Sequence, residues 1–329
     1  KHKLLLEGWP LLQYFTTGKN GLLTTPDDHH DQPYWINVER PTPAEIDQLV
    51  TQFDLPKDYL TAILDDAEVS RAEQLTNTQS GQPILIVMQY PKLTTSKLGY
   101  LEFQVYPFAL ILVDQVVITV SNYPAGFIQD FVMDPASSKL SLDNHEDFVL
   151  AIMWYIEHSF VAALALINRR TTTLESRLNQ ATHNEELFTI MAYQKSLIRF
   201  KAALNQNAPT LDAVEASVTH FNAPNHQSLT DDIKIETQQA SDMADTTNQI
   251  LQQYSQLVGS VISNNLNDVM KFLTSLTMVL TIPTIIGGIY GMNVKLPGAG
   301  LVHSFTWLML GTIILCIISI EYLRNHDYF

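Results

Sequence analysis

Two long uncharged runs lie near the C-terminal end of the chain. No residue is charged from Phe272 to Val294 or from Leu296 to Ile320, and Lys295 separates the two runs. Each run is long enough to cross about 30 Å of hydrocarbon, which takes roughly 20 helical residues. We therefore predict two transmembrane helices. A buried helical hairpin in a soluble protein is the alternative, but two adjacent runs of this length are rare in soluble cores.

Short β-rich stretches come first along the rest of the chain. They lie at 34–38, 83–90, 100–106, 108–113 and 116–121. Valine, isoleucine and aromatic residues are frequent in them, as is typical of strands. After the first stretch, Thr42 is placed to cap a helix at 43–53, because Pro43 fits the first helical turn and Glu45 completes a capping box.

Helical patterns follow the strands. They begin near Asn144, and prolines predict breaks near Pro209 and Pro224. From Ser228 to Ile289 the only proline is Pro283, which predicts one helix of about 60 residues, roughly 90 Å long. Such a helix needs a partner, either copies of itself or the helices at 144–205. The apolar or small positions that would form the contact are Leu229, Ile233, Ala240, Ala244, Leu251, Val258, Ile262 and Leu266.

The order of these elements predicts the fold class. Strands followed by helices indicate an α/β N-terminal domain of the α+β type, continued by long stalk helices and by two C-terminal transmembrane helices. The predicted segments are an α/β domain at 1–143, a helical extension at 144–226, a stalk helix at 227–270, a first membrane helix at 271–291, a loop at 292–303, a second membrane helix at 304–323 and a tail at 324–329.

A stripe of polar and small residues follows the first predicted membrane helix at steps of three and four. Its members are Asn267, Met270, Thr274, Thr277, Thr281, Thr284, Gly288 and Gly291. One interpretation is close helix packing, in which the threonine hydroxyls bond back to the preceding turn. The other is a pore enclosed by several copies of the helix, with Met270 and Leu273 setting its width at the inner end. A chain with two spans is too small to enclose a pore alone, so the second interpretation requires an oligomer.

Charge is distributed unevenly between the two parts of the chain. The net charge is −15, and residues 1–270 contain 16 Lys and Arg against 32 Asp and Glu. An acidic front part repels phosphate backbones, so no nucleic-acid partner is expected, whereas divalent cations fit. Cys316 is the only cysteine, which excludes an internal disulfide and a cysteine-based zinc cluster.

The first membrane helix closes with glycines and a neutral amide. If it ends at Gly291, its last carbonyls lack intrahelical partners, and Asn293 adds an amide oxygen at the same level. Magnesium sheds its water reluctantly and prefers six oxygen ligands. A ring of neutral acceptors can therefore select the hydrated ion without stripping it.

Enzyme chemistry has little support in the sequence. We find no phosphate-binding glycine loop, no His-Glu-x-x-His and no serine nucleophile elbow. The stretch Asp27-Asp28-His29-His30-Asp31 has residue types that bind metals, but adjacent residues seldom converge on one ion. We predict that the protein is not an enzyme.

The first membrane helix and its outer end contain Asn267-Asp268-Val269-Met270-Lys271-Phe272-Leu273-Thr274, Pro283-Thr284 and Gly288-Ile289-Tyr290-Gly291-Met292-Asn293. At these residues the chain resembles the CorA family of magnesium transporters. Gly-Met-Asn at the outer end of the first of two C-terminal spans is the signature of that family.

The resemblance implies a homopentameric channel for influx of hydrated Mg²⁺, with Co²⁺ or Ni²⁺ as further ions that it could conduct. It implies a cytoplasmic funnel domain, a multi-pass position in the plasma (inner) membrane among lipid, and both termini in the cytoplasm. The implied selectivity filter is Gly291, Met292 and Asn293. The implied pore lining is Asn267, Met270, Leu273, Thr274, Thr277, Thr281, Thr284 and Gly288.

Family members also sense cytoplasmic Mg²⁺ at carboxylates between neighbouring subunits. The register of the long helix puts Asp232 on the stalk position, and the opposing carboxylate is Asp65 or Asp66. Mg²⁺ is therefore expected both as the transported ion and as a regulator.

The chain departs from the family pattern in two places. The loop after Asn293 contains Lys295 and no carboxylate, and the tail at 324–329 has one arginine instead of a basic cluster.

A zinc-transporting branch of the same superfamily is the nearest alternative, although it usually varies the middle residue of the filter, which is Met292 here. A two-span membrane scaffold or sensor that transports nothing is the other.

Overall fold

The computed structural model describes residues 12–17, 23–24, 34–75, 82–113, 116–133, 144–177, 184–217, 219–294 and 303–326. Most of the predicted loop at 292–303, the last three residues of the tail and the stretch at 27–31 lie outside the described residues. The chain divides into two compact units, Lys1–Tyr254 and Ser255–Phe329.

The first unit contains a mixed sheet of seven described strands. The strands are β1 (Leu12–Thr17), β2 (Leu23–Thr24), β3 (Trp35–Glu39), β4 (Arg71–Glu73), β5 (Ile84–Thr95), β6 (Leu101–Val113) and β7 (Val116–Ser121). Their spatial order is β2-β1-β3-β7-β6-β5-β4. Strands β3 and β7 are parallel, and the other neighbours are antiparallel.

Seven α-helices accompany the sheet in the described part of the chain. They are α1 (Pro43–Phe53), α2 (Lys57–Thr61), α3 (Gly126–Met133), α4 (His145–Arg177), α5 (Asn184–Glu215), α6 (Pro224–Tyr290) and α7 (Ser304–Asn325). A short 3-10 helix, Ala62–Leu64, follows α2. The predicted capping box is present, since Thr42 Oγ1 accepts from Glu45 N at 3.3 Å and Glu45 Oε2 accepts from Thr42 N at 2.7 Å.

The sheet is covered on both faces. Side chains alternate along a strand, so that Trp35 belongs to one buried cluster and its neighbour Ile36 to the other. The first cluster includes Phe131 of α3, Phe148 of α4 and Leu211 of α5. The second includes Leu49 of α1 and Leu60 of α2. The first unit is therefore a layered α/β domain, as the sequence predicts.

Two predicted breaks are absent. The stretches 100–106 and 108–113 form one strand, β6, because β7 pairs only as far as Phe108 and leaves Pro107 where a missing N–H is tolerated. Pro209 lies inside α5 and does not end it. Leu204, Leu211 and Val214 on either side are buried, and this packing outweighs the local cost of the proline.

Three described helices are long and apolar enough to cross a membrane: α4, α6 and α7. In the most apolar 18-residue stretch of α4, 61% of the residues are buried within the structure. In the corresponding stretches of α6 and α7, 6% are buried. Residues of α4 belong to the core cluster on the sheet, so α4 is a core helix of the first unit. Helix α6 is continuous over 67 residues and begins at Pro224, where the sequence predicts a break.

Candidate functional site: the polar face of helix α6

The polar stripe of α6 is exposed along its whole length in the single chain. Met270, which belongs to the stripe, and Leu273 beside it are 58% and 54% exposed. The other exposed positions are Asn267, Thr274, Thr277, Thr281, Thr284, Gly288 and Gly291. A continuous polar face of this kind, on a segment that is otherwise apolar, requires contact with water or with another helix.

Helix α7 covers a different face of α6. Ser275 is fully buried, and Val279, Ile282 and Ile286 are only half exposed. Cys316 Sγ of α7 lies 3.9 Å from the carbonyl oxygen of Val279. At about 100° per residue, the centre of this covered face lies roughly 160° around the helix from the centre of the polar face. The polar stripe is therefore not a packing surface for the second apolar helix of the same chain.

The threonine hydroxyls on the polar face donate to their own helix. Thr277 Oγ1 donates to Leu273 O at 2.8 Å, Thr281 Oγ1 to Thr277 O at 2.7 Å, and Thr284 Oγ1 to Leu280 O at 2.8 Å. Once the hydroxyl proton is committed in this way, the oxygen can only accept further hydrogen bonds. The face therefore presents neutral acceptors, which suit the water molecules of a hydrated cation because those waters donate.

Helix α6 ends in a tight turn. Gly291 N donates to Gly287 O at 2.9 Å, Met292 N to Ile289 O at 3.3 Å, and Val294 N to Met292 O at 2.9 Å. A Cβ atom on Gly291 would lie 3.2 Å from Gly287 O, closer than side chains normally approach. Glycine is therefore favoured at this position. The last helical residue is Tyr290, one before the predicted end, which is within the usual variation of helix boundaries.

The two candidate carboxylates after the 3-10 helix have different environments. Asp65 Oδ1 accepts from Ala67 N at 2.9 Å. Asp66 is held through both oxygens, with Asn122 Nδ2 at 3.3 Å from Oδ1 and the Tyr123 hydroxyl at 3.1 Å from Oδ2. The hydrogen bond to Asp66 raises the pKa of the Tyr123 hydroxyl.

Asp232 lies on the exposed surface of α6, near its beginning. Among the described residues of one chain, no group of three or more His, Cys, Asp or Glu side chains is placed to hold a metal ion. A regulatory site built from Asp65 or Asp66 together with Asp232 therefore remains a prediction that involves more than one subunit.

The CorA-like Mg²⁺ transporter protein family matches residues 30–325. The chain belongs to the CorA family. The predicted resemblance is thereby confirmed, and the family is one of metal-ion transporters.

Individual relatives agree with this assignment. The cobalt/magnesium transport protein CorA of Methanocaldococcus jannaschii is 23% identical over 297 residues, which cover 88% of this chain and 89% of that protein. The complete structure of the CorA magnesium transporter from the same organism has a TM-score of 0.77 at 19% identity, over 98% of this chain and 99% of that one. The cytoplasmic domain of ZntB from Vibrio parahaemolyticus has a TM-score of 0.50 at 13% identity, over 78% and 97%. The predicted fold class is confirmed by the full-length likeness.

Two residues that donate hydrogen bonds to the Asp66 carboxylate were not predicted from the sequence of this CorA-family chain. Asn122 and Tyr123 follow β7 directly, and they approach Asp66 because β7 lies next to the segment after α2 in the folded domain. The sequence separation is 56 and 57 residues. No local pattern marks such a contact.

Proposed function

We propose that this chain is the subunit of a homopentameric channel that mediates influx of hydrated Mg²⁺ down its electrochemical gradient. The observation that supports the proposal is the exposed polar face of α6, turned away from α7 and lined by acceptor oxygens. Five such faces around an axis would enclose a water-filled path, with lipid on the apolar faces. Met270 and Leu273 would form its narrowest apolar section.

Gly291, Met292 and Asn293 form the proposed selectivity filter. Helix α6 ends at Tyr290, so helix-terminal carbonyls and the amide oxygen of Asn293 would be the neutral acceptors of this filter. Neutral oxygens hold a hydrated divalent ion weakly enough to release it. Co²⁺ and Ni²⁺, if similarly hydrated, would pass by the same route. The proposed orientation puts both termini in the cytoplasm and the filter outside the plasma (inner) membrane.

The proposed regulator is cytoplasmic Mg²⁺ bound between Asp232 of one subunit and Asp65 of the next. Asp65 is favoured over Asp66 because both oxygens of Asp66 already accept hydrogen bonds from Asn122 and Tyr123. Facing carboxylates repel each other until a cation screens them. Mg²⁺ would therefore favour the closed arrangement, and its loss would shift the population toward conduction.

Mg²⁺ uptake into proteoliposomes tests the proposed filter. Asn293→Ala removes one acceptor from each subunit, and we expect a reduction of uptake of about tenfold or more, since several neutral contacts act on one ion. Asn264→Ala, an exposed amide on α6 outside the polar stripe, is the matched control and should transport like the unmodified protein. Equal uptake by both variants would refute the proposed filter.

The same assay separates the alternatives. A zinc transporter would show Zn²⁺ flux greater than Mg²⁺ flux under equal gradients, and a membrane scaffold would show neither. The intact Gly291-Met292-Asn293 sequence favours Mg²⁺ over the zinc-transporting branch.

A further inference from the structure

A carboxyl group is fully buried in the core of the first unit. Glu157 of α4 has no exposed surface. Asn207 of α5 donates through Nδ2 to Glu157 Oε1 at 2.7 Å. The other oxygen, Oε2, receives no hydrogen bond from any residue that the structure describes.

Asn207 is itself fixed in position. Its Oδ1 accepts from Gln89 N at 2.8 Å and from Ser70 Oγ at 2.7 Å, and its Nδ2 also donates to Gln89 O at 3.0 Å. The amide is thus tied to the backbone of strand β5 and cannot rotate toward Oε2. The carboxyl group is consequently held by one oxygen, and the second must find its partner elsewhere.

Helix α6 brings the side chain of Thr237 next to the Glu157 carboxyl, where a hydrogen bond donated by Thr237 would stabilise the ionised form and lower the pKa of Glu157. No described residue makes such a bond to Oε2. The Thr237 hydroxyl donates to Ile233 O at 2.9 Å instead, so toward Glu157 it can only accept. The charged group that faces Glu157 from α6 is the carboxylate of Glu236, which contacts His158 Nδ1 at 2.6 Å and repels a second negative charge. A protonated Oε2 satisfies this environment, because it can donate to Thr237 Oγ1, whereas an ionised one cannot.

We propose that Glu157 is a proton-binding site that fastens α6 to α4, through a hydrogen bond from the Glu157 carboxylic acid to the Thr237 hydroxyl. Loss of the proton to solvent removes this bond and leaves a buried charge beside Glu236. The segment of α6 around Thr237 is then held less firmly. This proposal concerns only the first unit and does not depend on ion transport.

The direction of the pH effect follows from the burial. Desolvation, with a smaller contribution from Glu236, raises the pKa of Glu157 from 4.5 to about 8. The fastened state therefore binds the proton more tightly than an open state in which Glu157 meets water. Its advantage is fully present below about pH 4.5 and is lost progressively as the pH rises to about 8. One proton of this kind changes the opening equilibrium by up to about tenfold per pH unit.

Amide hydrogen exchange of the full-length protein tests the proposal. Peptides that cover residues 230–240 are compared at about pH 5.5 and about pH 7.5, with the intrinsic pH dependence of exchange divided out, and a loss of protection of up to about 100-fold is expected. Glu157→Gln should abolish this change, because its amide can donate to Thr237 and does not ionise. Glu185→Gln, the same replacement at an exposed position of α5, is the matched control and should retain it.

Two results would overturn the proposal. One is equal corrected protection of the unmodified protein at both pH values, which decides the matter even if Glu157→Gln does not fold. The other is a pH dependence in Glu157→Gln as large as that of the unmodified protein.

Discussion

At the scale of single residues, Asp65 and Asp66 show that residue type alone does not decide which of two carboxylates has a given role. The sequence offers two adjacent carboxylates and no means of choosing between them. The fold distinguishes them, because Asn122 and Tyr123 arrive from the end of β7 and occupy both oxygens of Asp66, whereas only one oxygen of Asp65 accepts a described hydrogen bond. Contacts between residues far apart in sequence assign such roles, and only the folded chain brings them together.

The two carboxylates should therefore respond differently to neutralisation. Asp65→Asn is expected to raise the Mg²⁺ concentration that half-inhibits influx by severalfold, since a metal site loses one of its charges. Asp66→Asn should leave this midpoint within about twofold, because its oxygens serve hydrogen bonds inside the chain. The measurement is the rate of Mg²⁺ uptake into proteoliposomes while the Mg²⁺ concentration is varied on the side of the membrane that the first unit faces. A larger shift for Asp66→Asn would reverse the assignment.

At the scale of helices and strands, local signals predicted α1 and failed at two prolines. The α1 prediction was correct at both ends because its capping box and first-turn proline act within a few residues. The break at Pro209 and the division at Pro107 were wrong because burial of α5 and the limited reach of β7 decide those positions. Local chemistry is reliable where its partners are local, and tertiary packing overrides it elsewhere.

The capping box makes a measurable contribution to stability. Thr42→Ala removes the acceptor for Glu45 N and should lower the free energy of unfolding of the first unit by about 1 kcal/mol. Thr51→Ala is the control in the same helix, because its exposed hydroxyl only bonds back to Asp47 O and alanine is the better helix former. Thermal unfolding of the full-length protein in detergent compares the two. Equal destabilisation would show that the cap contributes nothing.

The threonine face of α6 is tested by removing one hydroxyl at nearly constant volume. Thr281→Val deletes an acceptor from every subunit, and we expect Mg²⁺ flux to fall severalfold because the hydrated ion loses partners along its path. Thr306→Val, at an exposed position of α7, is the control and should conduct normally. If the control loses as much flux as Thr281→Val, the polar face does not line the path.

At the scale of the whole molecule, the sequence predicted the fold class through a motif and a regular pattern. Gly291-Met292-Asn293 and the two apolar runs indicated the family, which matches residues 30–325. Strands β1, β2 and β4 and helices α2 and α3 were not predicted, since each is short and is stabilised by its neighbours in the layers. The number of subunits depends on surfaces that pair between chains. A single chain does not test it, so the pentamer stays a prediction.

Oligomeric state is the decisive whole-molecule measurement. Native mass spectrometry of the detergent-solubilised protein should give five copies, the number in the proposed pentamer. A monomer or dimer at concentrations well above those used for uptake would remove the proposed pore.

The orientation of the threonine hydroxyls has one more consequence. Thr277, Thr281 and Thr284 direct their hydrogens back along α6, so none of these three hydroxyls offers a donor to a halide. In the proposed pore, this stretch of threonines would therefore disfavour chloride without any fixed negative charge. Since salt screens charges but leaves this geometry unchanged, the discrimination should persist at high ionic strength.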